Sequence, residues 1–480
     1  MTITLEKLDM IRLMMLTAAL LSASSLTLSQ PTSSNAEWTV LVFMNGDNNL
    51  ERDALINFAQ MARVGSTDKV NIIVQFDRIT KYAHTSPVDW SQTLRFKITK
   101  DMEPQPKNAL ADMGELNMGA PKTLEEFVRW GVSQYPAKHY FLILWDHGQG
   151  YRVFLRSLLA RQRLLLASRG LETKDALSSL RAASVQLRNA SGVATEENRT
   201  APFRSAPGDP YRSVSNDETD NNVLYNREVV EALTNALGDR KLDLVGFDAC
   251  LMAMVETAYA LRNVGSNFVG SEDLEPGLGW KYDEFLDRLI ANPSQSAAEL
   301  AASVVDSYRT FYSKPDMLDL GGNETTLSAY RLAGISDLAA AISSLSDTLM
   351  ANLDSELQNI IDARAATSVF APGYSFYHVD IVQFVSELTK RTKNETVRAR
   401  AQTVRERVTS EIFAKHAGSE RQGTFGSFGL AIYFPSSAHE HTNDPYAQGG
   451  YEKDNQLFPV DFVQKERWSD FLHAFWKKVP

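Results

Sequence analysis

The chain has 480 residues, 44% hydrophobic and 22% charged, the balance of an ordinary globular protein with a large core and room for two or three domains. Its net charge of -10 argues against nucleic acid or an anionic membrane surface as a partner. A single cysteine excludes an internal disulfide framework and a thiolate zinc cluster.

At the N-terminus, Lys7 and Arg12 precede an apolar run from Leu13 to Leu21, followed by small residues at Ser22-Ala-Ser-Ser25 and a polar stretch to Asn35. The run is too short to cross a bilayer. Its layout reads as a cleavable export signal, with a disordered or amphipathic leader as the alternative. Residues 1–36 are therefore expected to be signal peptide and polar leader, and the protein to be exported, periplasmic or extracellular. No cysteine follows to carry a lipid anchor, and no other stretch reaches transmembrane length.

The first strand is predicted over Trp38 to Met44, stopping at the turn-forming Asn45-Gly-Asp-Asn-Asn49. A helix is predicted from Leu50 to Ala62 and a second strand over Asn71 to Asp77. Apolar runs alternating with amphipathic segments imply β-α-β units and a parallel sheet. Thr93 to Ile98 alternates like an edge strand, and Leu124 to Val132 reads as a helix capped by Thr123 with Glu126 as capping partner. A third apolar run, Tyr140 to Trp145, ends on Asp146-His147-Gly148.

Composition then changes. Residues 152–212 hold eleven Lys or Arg against five Asp or Glu, and turn rich in Ala, Ser, Asn and Pro toward their end. Such a basic insertion is either a site of proteolytic nicking or a plain surface loop. The alternation resumes with a helix from Val223 to Leu237, a strand Asp243-Leu-Val-Gly-Phe-Asp-Ala-Cys250, a helix from Leu251 to Leu261 and a strand from Asn267 to Glu272. Helical sequence covers 282–311. Beyond Asn323, short strands (325–330, 429–434) mix with long helical segments (335–363, 379–413).

An open α/β sheet does its chemistry just beyond the carboxyl ends of its strands. Two apolar strands here end on an imidazole and on the one thiol, which suggests a Cys-His pair. A lone cysteine also fits the reading of a small buried hydrophobe. His439 and His441 flank Glu440, a pattern that reads better as a solvated loop than as a metal site. There is no Gly-x-Ser-x-Gly elbow and no His-Glu-x-x-His run, which argues against a serine or metal hydrolase.

Six segments in order resemble the clostripain family of cysteine peptidases, of the caspase-like clan. They are Thr39-Val-Leu-Val-Phe-Met-Asn-Gly-Asp-Asn-Asn-Leu-Glu51, Gly114-Glu-Leu-Asn-Met-Gly119, Leu144-Trp-Asp-His-Gly148, Gly246-Phe-Asp-Ala-Cys-Leu-Met252, Ser271-Glu-Asp-Leu-Glu-Pro-Gly-Leu-Gly-Trp280 and Gly429-Leu-Ala-Ile-Tyr-Phe-Pro435. The resemblance implies an α/β fold with a caspase-like, sandwiched, mostly parallel sheet and helices on both faces. It places a catalytic domain at 37–322, with 152–212 as a basic insertion and processing region, and a smaller α+β subdomain at 323–480.

The implied function is a cysteine endopeptidase with a dyad: Cys250 as nucleophile and His147 as proton carrier, and the amides of Gly148 and Cys250 as oxyanion hole. A helix starting at Leu251 is expected to favour the thiolate through its dipole. Many members cut after Arg or Lys, which asks for carboxylates in the pocket. Asp248 matches one by position, and Ser271, Asp273 and Trp280 are the other residues expected to bind substrate. Where the family commonly shows Asp-Gly-Trp this chain reads Leu278-Gly279-Trp280, so the basic preference is expected to be weakened or broadened unless Asp273 or Glu275 compensates.

Several relatives are inactive precursors cut between the His and Cys strands, some with calcium assistance, so self-cleavage within 152–212 is expected. No cofactor is required by this reading. Calcium would find oxygen ligands at Asp47-Asn-Asn49 and Asp217-Glu-Thr-Asp-Asn-Asn222, both equally good turns. The expected partners are protein or peptide substrates, with no nucleic acid, no membrane anchor and a monomeric chain. The alternative is a catalytically silent caspase-like binding or scaffold protein, against which the presence of both dyad residues argues.

Overall fold

The computed structural model describes residues 36–79, 90–150, 214–318, 320–371, 376–422, 426–444, 451–455 and 459–479. The leader and the basic insertion of the preceding reading lie outside these residues, apart from Ala36.

In chain order the strands are β1 (Trp38–Gly46), β2 (Val70–Arg78), β3 (Leu94–Lys97), β4 (Ala111–Asp112), β5 (His139–Trp145), β6 (Val214–Asp217), β7 (Asn222–Leu224), β8 (Leu242–Asp248), β9 (Gly265–Gly270), β10 (Thr326–Arg331), β11 (His378–Asp380), β12 (Ile412–Ala417) and β13 (Ala431–Tyr433). Nine of them form one sheet in the order β12-β10-β9-β8-β5-β1-β2-β3-β4. Its centre, β9-β8-β5-β1-β2, is parallel, as the continuous apolar runs imply; β3 and β10 flank it antiparallel.

Side chains alternate across each strand, so one strand feeds two cores. On β1, Val40, Val42 and Met44 face a layer holding α1 (Glu51–Val64), while Leu41 and Phe43 face the layer of α2 (Pro121–Gln134) and α3 (Asn226–Leu237). The first layer also takes α5 (Tyr282–Ala291) and α6 (Ala297–Tyr312); the second takes α4 (Val255–Leu261) and the helices past 335. The α/β class, with a mostly parallel sheet sandwiched between helices, is the one expected.

Local expectations differ from the structure in three places. Helix α2 starts at Pro121, whose fixed φ suits the first helical position, and Thr123 turns its hydroxyl to Asn117 O at 2.7 Å instead of capping. Residues 222–224 pair with β6 as a hairpin rather than opening a helix. The third concerns Cys250. No helix follows it directly: Leu251 stands at φ 61°, and α4 begins only at Val255. Leu251 N and Ala253 N bond instead to Asp273 O (3.1 Å) and Ser271 O (2.8 Å) in the loop after β9. That loop pulls the chain out of helical register.

Strands β10 and β12, from the segment beyond 323, extend the main sheet at its β9 edge.

Candidate active site

Strands β5 and β8 are neighbours and parallel, with Trp145 opposite Asp248. His147 and Cys250, each two residues on, therefore leave the sheet at the same level. Adjacent strands run about 4.8 Å apart. The two residues line one cleft of ≈ 190 Å³ together with Asn49, Asp53, Asp248 and Glu275. Gly148 permits this approach, because a Cβ there would fall 2.3 Å from Cys250 O and 3.0 Å from Cys250 N.

The imidazole is held from β1. His147 is only 5% exposed, and its Nε2 donates to Asn49 Oδ1 at 2.6 Å. The turn before it is fixed by Asp146, whose carboxylate accepts from Asn48 Nδ2 at 2.8 Å and Asn45 Nδ2 at 3.1 Å. The reading of the sequence had Asn49 as a turn residue or a calcium ligand, and missed its place beside the histidine. Its only signal there was its place at the tip of β1, the strand next to the histidine strand.

Cys250 keeps part of its surface open to the cleft. Its sulfur accepts from Glu275 N at 3.1 Å and donates to Glu275 O at 3.6 Å. Burial, then the negative charges of Glu275 and Asp273, push the thiol up to about 12. At neutral pH the free protein therefore holds a thiol. The helix dipole invoked from the sequence is not there to oppose this, since α4 starts five residues later.

Asp53, Asp146, Asp248, Glu275 and Glu324 all line the cleft. Asp248 accepts from Tyr282 Oη (2.8 Å) and from Trp280 N (3.1 Å), yet burial pushes it up to about 6. Burial and the adjacent Asp248 drive Glu275 well above the usual carboxylate range. Asp53, from the first turn of α1, is likewise raised to about 6 by burial, and it packs beside Gly277. Gly279 sits at φ 59°, where a side chain would be strained and a Cβ would stand 2.7 Å from Asp248 Oδ1.

The other residues picked from the sequence lie behind the cleft lining. Ser271 Oγ bonds Asp273 O and Thr326, the Asp273 carboxylate pairs with Arg421, and Trp280 is fully buried against Phe141 and Phe285. They support the loop; Asp248 and Glu275 face the open space. Leu278 offers only its carbonyl, to Asn57.

The family profile described as clostripain matches residues 42–156 and 205–476, most of the chain. The chain belongs to the clostripain family. That family consists of cysteine peptidases. Clostripain of Hathewaya histolytica is 28% identical over 274 residues, which are 54% of this chain and 43% of that protein; the match thus spans less than half of that relative's length. Two solved structures share the fold of this clostripain-family chain. One is "iotapain", a secreted C11 cysteine protease of Bacteroides thetaiotaomicron (15% identity, TM-score 0.54, 91% of this chain and 99% of that one). The other is an inactive zymogen C11 protease of Parabacteroides distasonis (18% identity, TM-score 0.52, 92% and 99%). No helix among the described residues is long and apolar enough to cross a membrane.

Proposed function

We propose that this chain is an exported, monomeric cysteine endopeptidase that cuts after Arg or Lys, with Cys250 and His147 as its dyad. The observation that carries the reading is the single cleft in which thiol, imidazole and several carboxylates meet.

With Nε2 donating to Asn49, the proposed dyad assigns proton exchange to Nδ1. The thiol gives its proton to Nδ1 and the sulfur bonds to the carbonyl carbon. The resulting oxyanion is assigned to the N–H groups of Gly148 and Cys250, the pair of tips in contact. His147 then passes the proton to the amide nitrogen as the C–N bond breaks, and water hydrolyses the thioester.

A substrate cation suits both ends of this scheme. The carboxylates of Asp53 and Asp248 provide the negative charge of the pocket, with Asp53 in the part of the acid missing at Leu278, while Glu275, driven well above the usual carboxylate range, lines it without adding charge. The same cation, entering beside Cys250, favours the thiolate against the burial that pushes the thiol up. Basic-side cleavage thus couples binding to thiolate formation.

Self-processing within 152–212 belongs to this proposal. Those residues lie outside the described ones, but Gly148 and Val214, which bracket the interval, pair with each other beside the cleft. A fluorogenic panel with Arg, Lys, Leu and Asp at the first position tests the specificity: cleavage after Arg and Lys is expected to be at least tenfold faster. Equal rates would overturn the basic preference. Mass spectrometry of purified wild type and Cys250→Ala tests the processing. Equally fast cutting of both would overturn self-cleavage.

A further inference from the structure

Helix α1 turns a partly polar face toward the cleft. Asp53, Asn57 and Gln60 recur at i, i+4 and i+7, the spacing of one side of a helix. Asn57 is 0% exposed and Gln60 6%. Buried amides are tolerated where their hydrogen bonds are made. Here both amides bond to one segment, the chain from Gly277 to Tyr282 beside the cleft.

Asn57 joins two parts of the cleft lining. Its Nδ2 donates to Leu278 O at 3.0 Å, and its Oδ1 accepts from Trp145 Nε1 at 2.7 Å. One orientation of the amide serves both partners, because an indole N–H only donates and a carbonyl only accepts. Trp145 stands two residues before His147 and itself lines the cleft. Gln60 Oε1 accepts from Tyr282 N at 3.0 Å, and Tyr282 Oη in turn donates to Asp248 at 2.8 Å.

The bond to Leu278 falls between the two pocket acids. Gly277 packs on Asp53, where a Cβ would stand 3.0 Å from Oδ2, and Gly279 packs as closely on Asp248. Leu278 is the residue between them. Residues 276–280 belong to no strand or helix, and Gly279 at φ 59° gives that backbone further freedom. The carbonyls of Leu278 and Gly279 are taken by Asn57 and by Tyr312 Oη at 2.9 Å. Of these two, Asn57 is the one that also reaches the strand of His147.

We propose that Asn57 is a positioning residue for specificity: it fixes Leu278 against Trp145 and so holds Asp53 and Asp248 at a set separation across the pocket. This role rests on the reading of the cleft as the pocket for the residue before the cut, and adds what keeps its two acids in register. A guanidinium pairs with two carboxylates at once only if both stand at the right distance, and a shift of about 1 Å is enough to lose one. A leucine side chain makes no such demand.

The test compares kcat/KM for otherwise identical Arg and Leu fluorogenic peptides, using the full-length chain. Taking the ratio cancels any loss of folded protein, which a merely structural role would impose on both peptides alike. Asn57→Leu, close in volume, should lower the Arg-over-Leu ratio about tenfold through a higher KM for Arg, with kcat for the Leu peptide within about twofold of wild type. Asn57→Ser, too short to span both partners, gives the same reading should Asn57→Leu not fold. Gln60→Leu should lower the ratio about threefold, since it frees Tyr282 but leaves Leu278 held. Arg63→Ala breaks an exposed ion pair with Asp283 near the end of the same helix and should leave the ratio within about twofold. An unchanged ratio in the Asn57 variants, or a loss of kcat shared equally by both peptides, would overturn the role of Asn57 while the pocket reading stands. A wild type that cuts after Arg no faster than after Leu would overturn both.

Discussion

Two groups of carboxylates lie at the carboxyl edge of the same parallel sheet, and they are built for different ends. Asp53, Asp248 and Glu275 line an open cleft, and Asp248 is steadied there by Tyr282 and Trp280 N. Asp47 and Asp77 lie beyond the tips of β1 and β2, 0% exposed, and each keeps one oxygen without a donor, as both oxygens of Glu275 do in the cleft. Burial raises the pKa of acids in both groups, so titration alone does not distinguish them. What distinguishes them is surroundings: one group lines the cleft that holds Cys250 and His147, the other does not.

The largest expected effect separates chemistry from both acid groups. Cys250→Ala should lower peptidase kcat by about a millionfold or to background, as loss of a nucleophile does. The same variant should keep the wild-type melting temperature, and turnover near the wild-type rate in it would remove Cys250 from the role of nucleophile.

Next comes the pocket. Asp248→Asn should lower the ratio of kcat/KM for Arg over Leu substrates by about a hundredfold, equal to about 2.7 kcal/mol of charge pairing. Asp53→Asn should lower it by about tenfold, one further partner of the same cation. If Asp53→Asn leaves the ratio unchanged, the acid missing at Leu278 has no replacement in this chain.

Much of this was legible in the sequence, for physical reasons. Strands β1, β2, β5 and β8 are buried on both faces, so they read as continuous apolar runs, and their ends named His147 and Cys250 directly. The helix after Cys250 was misplaced because Leu251 to Leu261 has good helical pattern, while the bonds that break it come from Ser271 and Asp273 in another segment. No local pattern announces a leucine at φ 61°. Asp53 was missed for the same reason. It reads as an ordinary first-turn acid of α1, and only the packing of α1 beside the loop at Gly277 brings it to Cys250. Ser271, Asp273 and Trp280 sit in the right loop, but their side chains turn to Thr326, Arg421 and Phe141.

A smaller effect probes the link between the regions. Asn49→Ala frees His147 Nε2 and should lower kcat by about tenfold with little change in KM, since it disturbs orientation and not binding. Single-turnover rates against substrate concentration separate the two parameters. A rise in KM alone would assign Asn49 to the pocket instead.

The smallest effect is one of pH, and its sign follows from the pocket acids. Asp248 and Asp53 are raised to about 6, so each is ionised above that pH and neutral below it. A neutral carboxyl has no charge to pair with a guanidinium. Preference for Arg should therefore hold near pH 8 and fade as pH drops through about 6, by roughly twofold at that point and about tenfold one unit lower. His147 serves every substrate alike. Taking the ratio of kcat/KM for Arg over Leu cancels it. In the Asp53→Asn, Asp248→Asn double variant the ratio should be low and flat from pH 5 to 8. A ratio that still climbs through pH 6 there would mean that Glu275, which burial and Asp248 hold protonated in the wild type, becomes the working acid once its neighbours are neutral.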